Sequence, residues 1–248
     1  LEGHCDQVLV LYGDMPLLQL ETLRALVHRQ AETKAAVGLL TVIRENPRGF
    51  GRILRDADNR VLSIIEEAEA SPREQEIHEL NVGVYVFDAD FLWEHLPKLK
   101  PSANKGELYL TDLIGMASHA RRPIVSVTAD DPAETLGINT RVDLAAAEAV
   151  LRQRINREWM LSGVTLMDPA TITIGPEVTI GRDTVIHANT HLRGATTIGE
   201  ACEIGPNTII EHCTLGQRCR VLASVLEHAV MEDDTDIGPF GHLRKGAR

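Results

Sequence analysis

Two periodicities divide the chain. Up to about residue 140, short apolar runs alternate with stretches whose apolar residues recur three or four positions apart. Residues 7–12 (QVLVLY) are an unbroken β-prone run, the pattern of a strand covered on both faces, and residues 36–43 read the same way. Residues 22–32 read as a helix with Leu23, Leu26 and Val27 on one face and Glu21 near its positive end. Residues 52–65 have the form of a hairpin, with a polar turn at 56–59. Residues 82–87 and 124–127 are further strands, and 90–96 and 111–119 short helices. Strands interleaved with helices predict an α/β sheet with helices on its faces.

Residues 141–162 differ. They are rich in Ala, Glu and Arg, lack Gly and Pro, and place Leu144, Leu151, Ile155 and Trp159 largely four apart. This predicts a connecting helix of about six turns, stopped at Ser162-Gly163. Beyond it, Ile174, Ile180, Ile186, Leu192, Ile198, Ile204 and Ile210 recur every six residues. Gly175, Gly181, Gly199 and Gly205 follow four of them, and Val178, Thr184, Thr190, Thr196, Cys202 and Thr208 fill a small slot four positions on. The pattern continues in shifted phase through Leu215 with Cys219, Val221 with Val225, and Ile237-Gly238. A period of six fits neither a helix nor a simple strand. It fits a parallel β-helix with three short faces per coil, each sending one aliphatic side chain inward. The domains predicted are 1–140, 141–162 and 163–248.

Composition narrows the class. The chain is 44% hydrophobic and 25% charged, which excludes a disordered or collagen-like protein. No apolar run approaches the ~20 residues of a spanning helix. A net charge of −11 argues against nucleic acid and anionic membranes as partners, while leaving room for a local phosphate site. The cysteines Cys5, Cys202, Cys213 and Cys219 form no CxxC pair, so they predict no zinc site. Cys202 and Cys219 occupy the small slot, as buried residues in a reducing compartment do. The ten histidines show no pair at ligand spacing on one predicted face. The chain opens on Leu1 without a signal-peptide pattern and stops at Arg248 within the repeat, so it reads as a piece of a longer protein.

Polar residues at strand ends are the candidates for chemistry. Tyr12-Gly13-Asp14 closes the first predicted strand, where open α/β sheets place ligands. Asp14 there is either a cation ligand or a helix-capping residue, and Gly13 permits close backbone approach. Gly49-Phe50-Gly51-Arg52 reads as a turn or bulge before a strand. Glu66 and Asn81 stand at predicted strand edges, as ligand contacts or as solvated ends; Glu67 reads as exposed. Thr111 and Asp112 read as a helix start that supports the site at most indirectly.

Several segments carry a resemblance in order along the chain: Leu11-Tyr12-Gly13-Asp14-Met15-Pro16-Leu17, Gly49-Phe50-Gly51-Arg52, Ile64-Ile65-Glu66-Glu67, Leu80-Asn81-Val82-Gly83, Gly106-Glu107-Leu108-Tyr109-Leu110-Thr111-Asp112, Gly137-Ile138-Asn139-Thr140-Arg141 and Ile237-Gly238-Pro239-Phe240. Together with the hexads they resemble the bifunctional bacterial enzymes that make UDP-N-acetylglucosamine, an N-acetylglucosamine-1-phosphate uridyltransferase joined to a glucosamine-1-phosphate N-acetyltransferase. The resemblance implies a Rossmann-like α/β nucleotidyltransferase, incomplete here, then a linker helix and a left-handed parallel β-helix. It implies Mg²⁺ on Asp14 and Asn139, and substrate contacts at Tyr12, Gly13, Asp14, Gly51, Glu66, Asn81 and Asn139, with Arg244 on the sugar phosphate of the acetyltransferase. No residue of the chain is implied as a nucleophile. UTP, sugar phosphate and acetyl-CoA would be substrates, the β-helix would form a homotrimer, and the enzyme would work in the cytoplasm on cell-wall precursors. Ala68 stands where many relatives carry Lys, and Lys245 where they carry Pro. The glycine-rich nucleotide signature would precede Leu1 and most of the acetyltransferase would follow Arg248, so this chain alone is expected to show neither activity. Rival readings are a glucose-1-phosphate adenylyl- or thymidylyltransferase with a β-helix tail, and a non-catalytic homologue.

Overall fold

The apolar run Val37–Ile43 (β2) becomes an interior strand of the first sheet, paired on both edges, and all but its last residue are buried. The structure, a computed structural model, describes residues 3–47, 49–102 and 106–244. It divides into two compact units, Leu1–Ala147 and Glu148–Arg248.

The first unit runs β1 (Gln7–Val10), α1 (Leu20–Thr33), β2, β3 (Arg52–Arg55), β4 (Val61–Ile65), β5 (Glu79–Asp88), α2 (Ala89–His95), α3 (Asp112–His119) and β6 (Ile124–Thr128). The strand order is β4-β3-β5-β2-β6, with β1 also beside β5. Among the described residues of this unit β2 and β6 alone pair in parallel; the other neighbours are antiparallel. Alternation along β2 divides the core. Val37 and Leu39 pack with Phe91 of α2 and Leu113 and Ile114 of α3, while Leu40 and Val42 pack with Leu26 of α1.

Two strands depart from the sequence pattern. β1 stops at Val10 and is half-covered, with Leu9 and Leu11 exposed. Its one neighbour among the described residues is β5, and only Val8 and Val10 reach a core cluster. β5 is longer than expected and takes in Asn81. Its register against β2 shifts between Leu39 and Thr41, which pair with Tyr85 and Asn81, so β5 bulges around Gly83 (φ 83°).

The connecting helix is α4 (Arg141–Leu161). In the second unit, Ile155 and Trp159 pack against the β-helix core. Buried Asn156 donates from Nδ2 to the carbonyls of Pro169 (2.9 Å) and Ile172 (3.0 Å). The coils form three parallel sheets. Their inward residues include Ile186, Ile204 and Val221 on one face, Leu192, Ile210 and Leu226 on the second, and Ile198, Leu215 and Met231 on the third. All six small-slot residues are buried. The shifted phase resolves differently from expectation at one point: Leu226 faces inward and Ser224 fills the slot, while Val225 does not join the core. The coil shortens at αL corners occupied by His212, Ala223 and His228, which moves the inward position by one residue.

Candidate active site

A cleft of about 380 Å³ in the first unit is lined by Tyr12, Asp14, Gly51, Glu66, Asn81 and Asn139, and also by Arg44, Phe50, Gly83, Thr135 and Gly137. Six of the eight expected site residues therefore meet in one place. Gly13 and Arg244 do not line it. Gly13 sits in an open turn where a Cβ would meet nothing within 4 Å. Arg244 belongs to the strand His242–Arg244 of the second unit, in register with Glu227. Lys245 lies outside the described residues.

Asp14 and Asn139 converge from distant parts of the sequence. The Asp14 carbonyl accepts the Ile138 N–H at 2.9 Å, which zips the loop after β1 to the segment before α4. Gly137 lies between the two side chains: a Cβ there would sit 3.7 Å from Asp14 Oδ2 and 3.9 Å from Asn139 Nδ2. A reciprocal cap fixes Asn139. Asp143 Oδ2 accepts the N–H groups of Thr140 (2.7 Å) and Asn139 (3.1 Å), and Thr140 Oγ1 accepts the Asp143 N–H (3.2 Å). The hydrogen bonds from Thr140 hold the Asp143 carboxyl below its ordinary range. A carboxylate and an amide over bare backbone are oxygen donors of the kind a Mg²⁺ ion takes when phosphate and water complete its shell. Among the described residues no three His, Cys, Asp or Glu groups gather to hold a metal by themselves.

The opposite wall is built on Gly83 and Gly51. A Cβ at Gly83 would sit closer to Tyr12 Cε2 than any real contact, so the Tyr12 ring lies directly against that backbone. Burial, then the carboxylates of Glu66 and Asp14, push the Tyr12 hydroxyl pKa up, keeping it a neutral donor. Asn81 Oδ1 accepts from the Gly83 N–H (3.2 Å) and the Tyr85 hydroxyl (2.9 Å), which leaves the Nδ2 hydrogens as what Asn81 offers the cleft. Gly51 accepts the Asn81 N–H at 2.8 Å, and a Cβ there would press Ile64 Cγ2 at 2.9 Å.

The two adjacent acids separate. Glu66 lines the cleft and accepts from the hydroxyl of buried Thr111 at 3.1 Å. Glu67 is not merely exposed: it accepts the Gly49 N–H at 2.6 Å and pairs with buried Arg52 at 3.4 Å. It thus ties down the turn that presents Gly51. Sequence reasoning missed Arg44, whose partners Pro132 and Thr135 are distant along the chain, and Tyr85, which reads as one more apolar strand residue; it undervalued Thr111, whose hydroxyl sets Glu66.

These features define a class: an α/β sheet with an acidic, glycine-walled ligand cleft, followed in the same chain by a hexapeptide β-helix. Residues 1–159 match the model of the nucleotidyl transferase family, and residues 177–212 match that of the bacterial transferase hexapeptide (six repeats). The chain belongs to the nucleotidyl transferase family. It is similar to the bifunctional protein GlmU of Trichlorobacter lovleyi, 44% identical over 248 residues that cover 100% of this chain and 54% of the relative. It is also similar to the bifunctional protein GlmU of Fervidobacterium nodosum, 42% identical over 97% of this chain and 52% of the relative. The chain spans about half the length of the curated relatives it matches. Among solved structures, a CMP:2-keto-3-deoxy-manno-octonic acid synthetase complexed with CTP matches with a TM-score of 0.46 and 18% identity, covering 61% of this chain and 64% of that one.

Proposed function

We propose that the cleft serves uridylyl transfer from UTP to N-acetylglucosamine-1-phosphate, giving UDP-N-acetylglucosamine and pyrophosphate for cell-wall precursor synthesis. The observation that carries this reading is the convergence of Asp14 and Asn139 on the bare backbone of Gly137. A divalent cation, Mg²⁺ by its preference for oxygen donors, would there offset charge between the phosphates. An oxygen of the sugar phosphate attacks the α-phosphorus of UTP in line; the new P–O bond forms as the α–β bridge breaks, and pyrophosphate leaves with the bonding electrons. The protein needs no nucleophile, so its contribution is positioning and electrostatics. Glu66 accepts from a sugar hydroxyl, and Asn81 Nδ2 donates to a sugar or N-acetyl oxygen. Gly51 and Gly137 admit the ligand to the backbone, with Tyr12 and Gly13 beside it.

Residues 1–140 would form this transferase part, 141–162 the linking helix, and 163–248 the start of an acetyltransferase. That second part would acetylate glucosamine-1-phosphate from acetyl-CoA, with Arg244 on the sugar phosphate and a homotrimer formed through the β-helix. Among the described residues no helix is long and apolar enough to cross a membrane; the substrates assign the protein to the cytoplasm. Calorimetric titration with UDP-N-acetylglucosamine, with Mg²⁺ or with EDTA, tests the reading. The native protein should bind more tightly with Mg²⁺, and Asp14→Ala should abolish the difference. Affinity indifferent to Mg²⁺ would sink it; equal or tighter binding of UDP-glucose or ADP-glucose would transfer the site to another sugar-nucleotide class.

A further inference from the structure

We propose that Arg44 is a positioning residue that sets the width of this cleft by fastening its two glycine-bearing loops to each other; the inference rests on the cleft being a sugar-nucleotide site. Arg44 directly follows β2. Its Nη2 donates to the Pro132 carbonyl at 2.8 Å and to Thr135 Oγ1 at 2.6 Å. The same guanidinium lies over the Phe50 ring, 5.0 Å from its centroid. Phe50 stands between Gly49 and Gly51, and the turn Pro132–Thr135 runs straight into Leu136, Gly137, Ile138 and Asn139. One planar cation therefore spans from the loop that presents Gly51 to the loop that presents Gly137 and Asn139.

Both ends of this link are held firmly enough to transmit position. The Arg44 N–H donates to the His78 carbonyl (3.1 Å), and His78 Nδ1 donates back to the Arg44 carbonyl (2.8 Å). On the far side, Glu134 is only 2% exposed and accepts from Gln19 through its backbone N–H (3.2 Å) and Nε2 (2.8 Å), at the start of α1. Thr135 is 1% exposed and its hydroxyl donates to Pro132 O at 2.9 Å. Among the described residues Arg44 Nε is buried without a partner, a desolvation cost that the other contacts must offset. Among the described cleft-lining residues Arg44 carries the one positive charge, against Asp14 and Glu66. Burial draws its pKa down, yet a guanidinium stays charged. Its contacts go to neutral oxygens and a ring, which uses the planar fork rather than the charge alone. Lysine, a compact point charge, cannot stack and bridge together.

The test is the affinity for UDP-N-acetylglucosamine with Mg²⁺, in the native protein, Arg44→Met, Arg44→Lys, Asn139→Ala and Arg44→Met with Asn139→Ala. Native binding enhanced by Mg²⁺ establishes the cleft; its absence overturns the cleft reading, and this inference with it. Given native binding, both Arg44 variants should bind about tenfold more weakly, a loss of about 1.4 kcal/mol. Their melting temperatures should stay within about 4 °C of native, which separates loop position from folding. With Asn139 already replaced, Arg44→Met should cost clearly less than its roughly tenfold effect in the native background, because the part of that effect carried by the Asn139 loop is already gone while the part carried by the Gly51 loop remains. Native affinity in Arg44→Met, full affinity retained in Arg44→Lys, or losses that multiply in the double variant would each refute the clamp.

Discussion

Gly13 and Gly83 look alike as letters beside polar motifs, yet their surroundings separate them. Gly83 holds φ at 83° with the Tyr12 ring pressed on it, whereas a Cβ on Gly13 meets nothing within 4 Å. Gly83→Ala should therefore destabilise the first unit by about 1–3 kcal/mol through backbone strain and ring displacement. Gly13→Ala should stay within about 0.5 kcal/mol of native. Urea denaturation of the two variants measures both, and equal effects would contradict the described wall. The same contrast shows what a sequence exposes at this scale. A polar residue after an apolar run can be located, but not the group that will hold it. Glu66 and Glu67 are adjacent and chemically identical; one faces the cleft under Thr111 and the other caps the Gly49 turn, because partners 45 and 18 residues away choose between them. Arg44 carries no local signal at all, since its meaning depends on Pro132 and Thr135, which meet it only in the folded sheet.

Among elements, the repeat was the most legible because its period is incompatible with any other regular structure. Size alone suggested the small slot, and the hydrogen bonds add a chemical reason. Thr184 Oγ1 donates to Gly199 O (2.9 Å) and accepts the Cys202 N–H (3.1 Å); Cys202 Sγ donates to Gly216 O (3.2 Å) and accepts the Cys219 N–H (3.4 Å). At Thr184, Cys202, Thr196 and Thr208 the slot side chain thus takes a buried N–H of the next coil and gives to a nearby carbonyl, whereas the buried Thr190 hydroxyl has no partner among the described residues. Val178 is tolerated because the Thr196 N–H goes to Gly194 O instead, at 2.8 Å. Thr184→Val keeps shape but strands a donor and an acceptor, so it should cost about 1–3 kcal/mol, and Thr184→Ser appreciably less. Thermal melts rank the two, and a stable Val variant would show that only size matters. The inward Leu226 escaped the pattern because a one-residue deletion at a corner is silent in a six-residue template. The cap of α4 carries a pH dependence of definite sign. The Asp143 pKa is lowered in the folded state, so its contribution is complete above the ordinary aspartate pKa and fades as pH falls through the depressed value. Protection factors at Thr140 and Asn139, corrected for the intrinsic pH dependence of exchange, should fall on that acid limb, and in Asp143→Asn they should no longer change there.

At the scale of the whole molecule, each compact unit carries its own core: Phe87, Phe91 and Leu113 with Leu26, Leu40 and Val86 in the first, and the stacked aliphatics of the coils in the second. The two cores also differ in kind. The first depends on pairings between distant strands such as β2 and β6, so losing one part removes the partner of another. The second is a stack in which every coil bonds its neighbours, so its stability sums along the repeat. The chain has two tryptophans, and each reports on one core: Trp93 packs against the first unit's cluster and Trp159 against the coils. Variants with a single tryptophan, Trp159→Phe and Trp93→Phe, should accordingly show unfolding transitions at different denaturant concentrations. Adding Ile186→Ala, at a fully buried coil position, should destabilise by about 2–5 kcal/mol the transition seen by Trp159 while leaving that of Trp93 in place. Coincident transitions, moved together by Ile186→Ala, would mean that the two cores fold as one, and the separation of the ligand cleft from the repeat in stability would have to be abandoned.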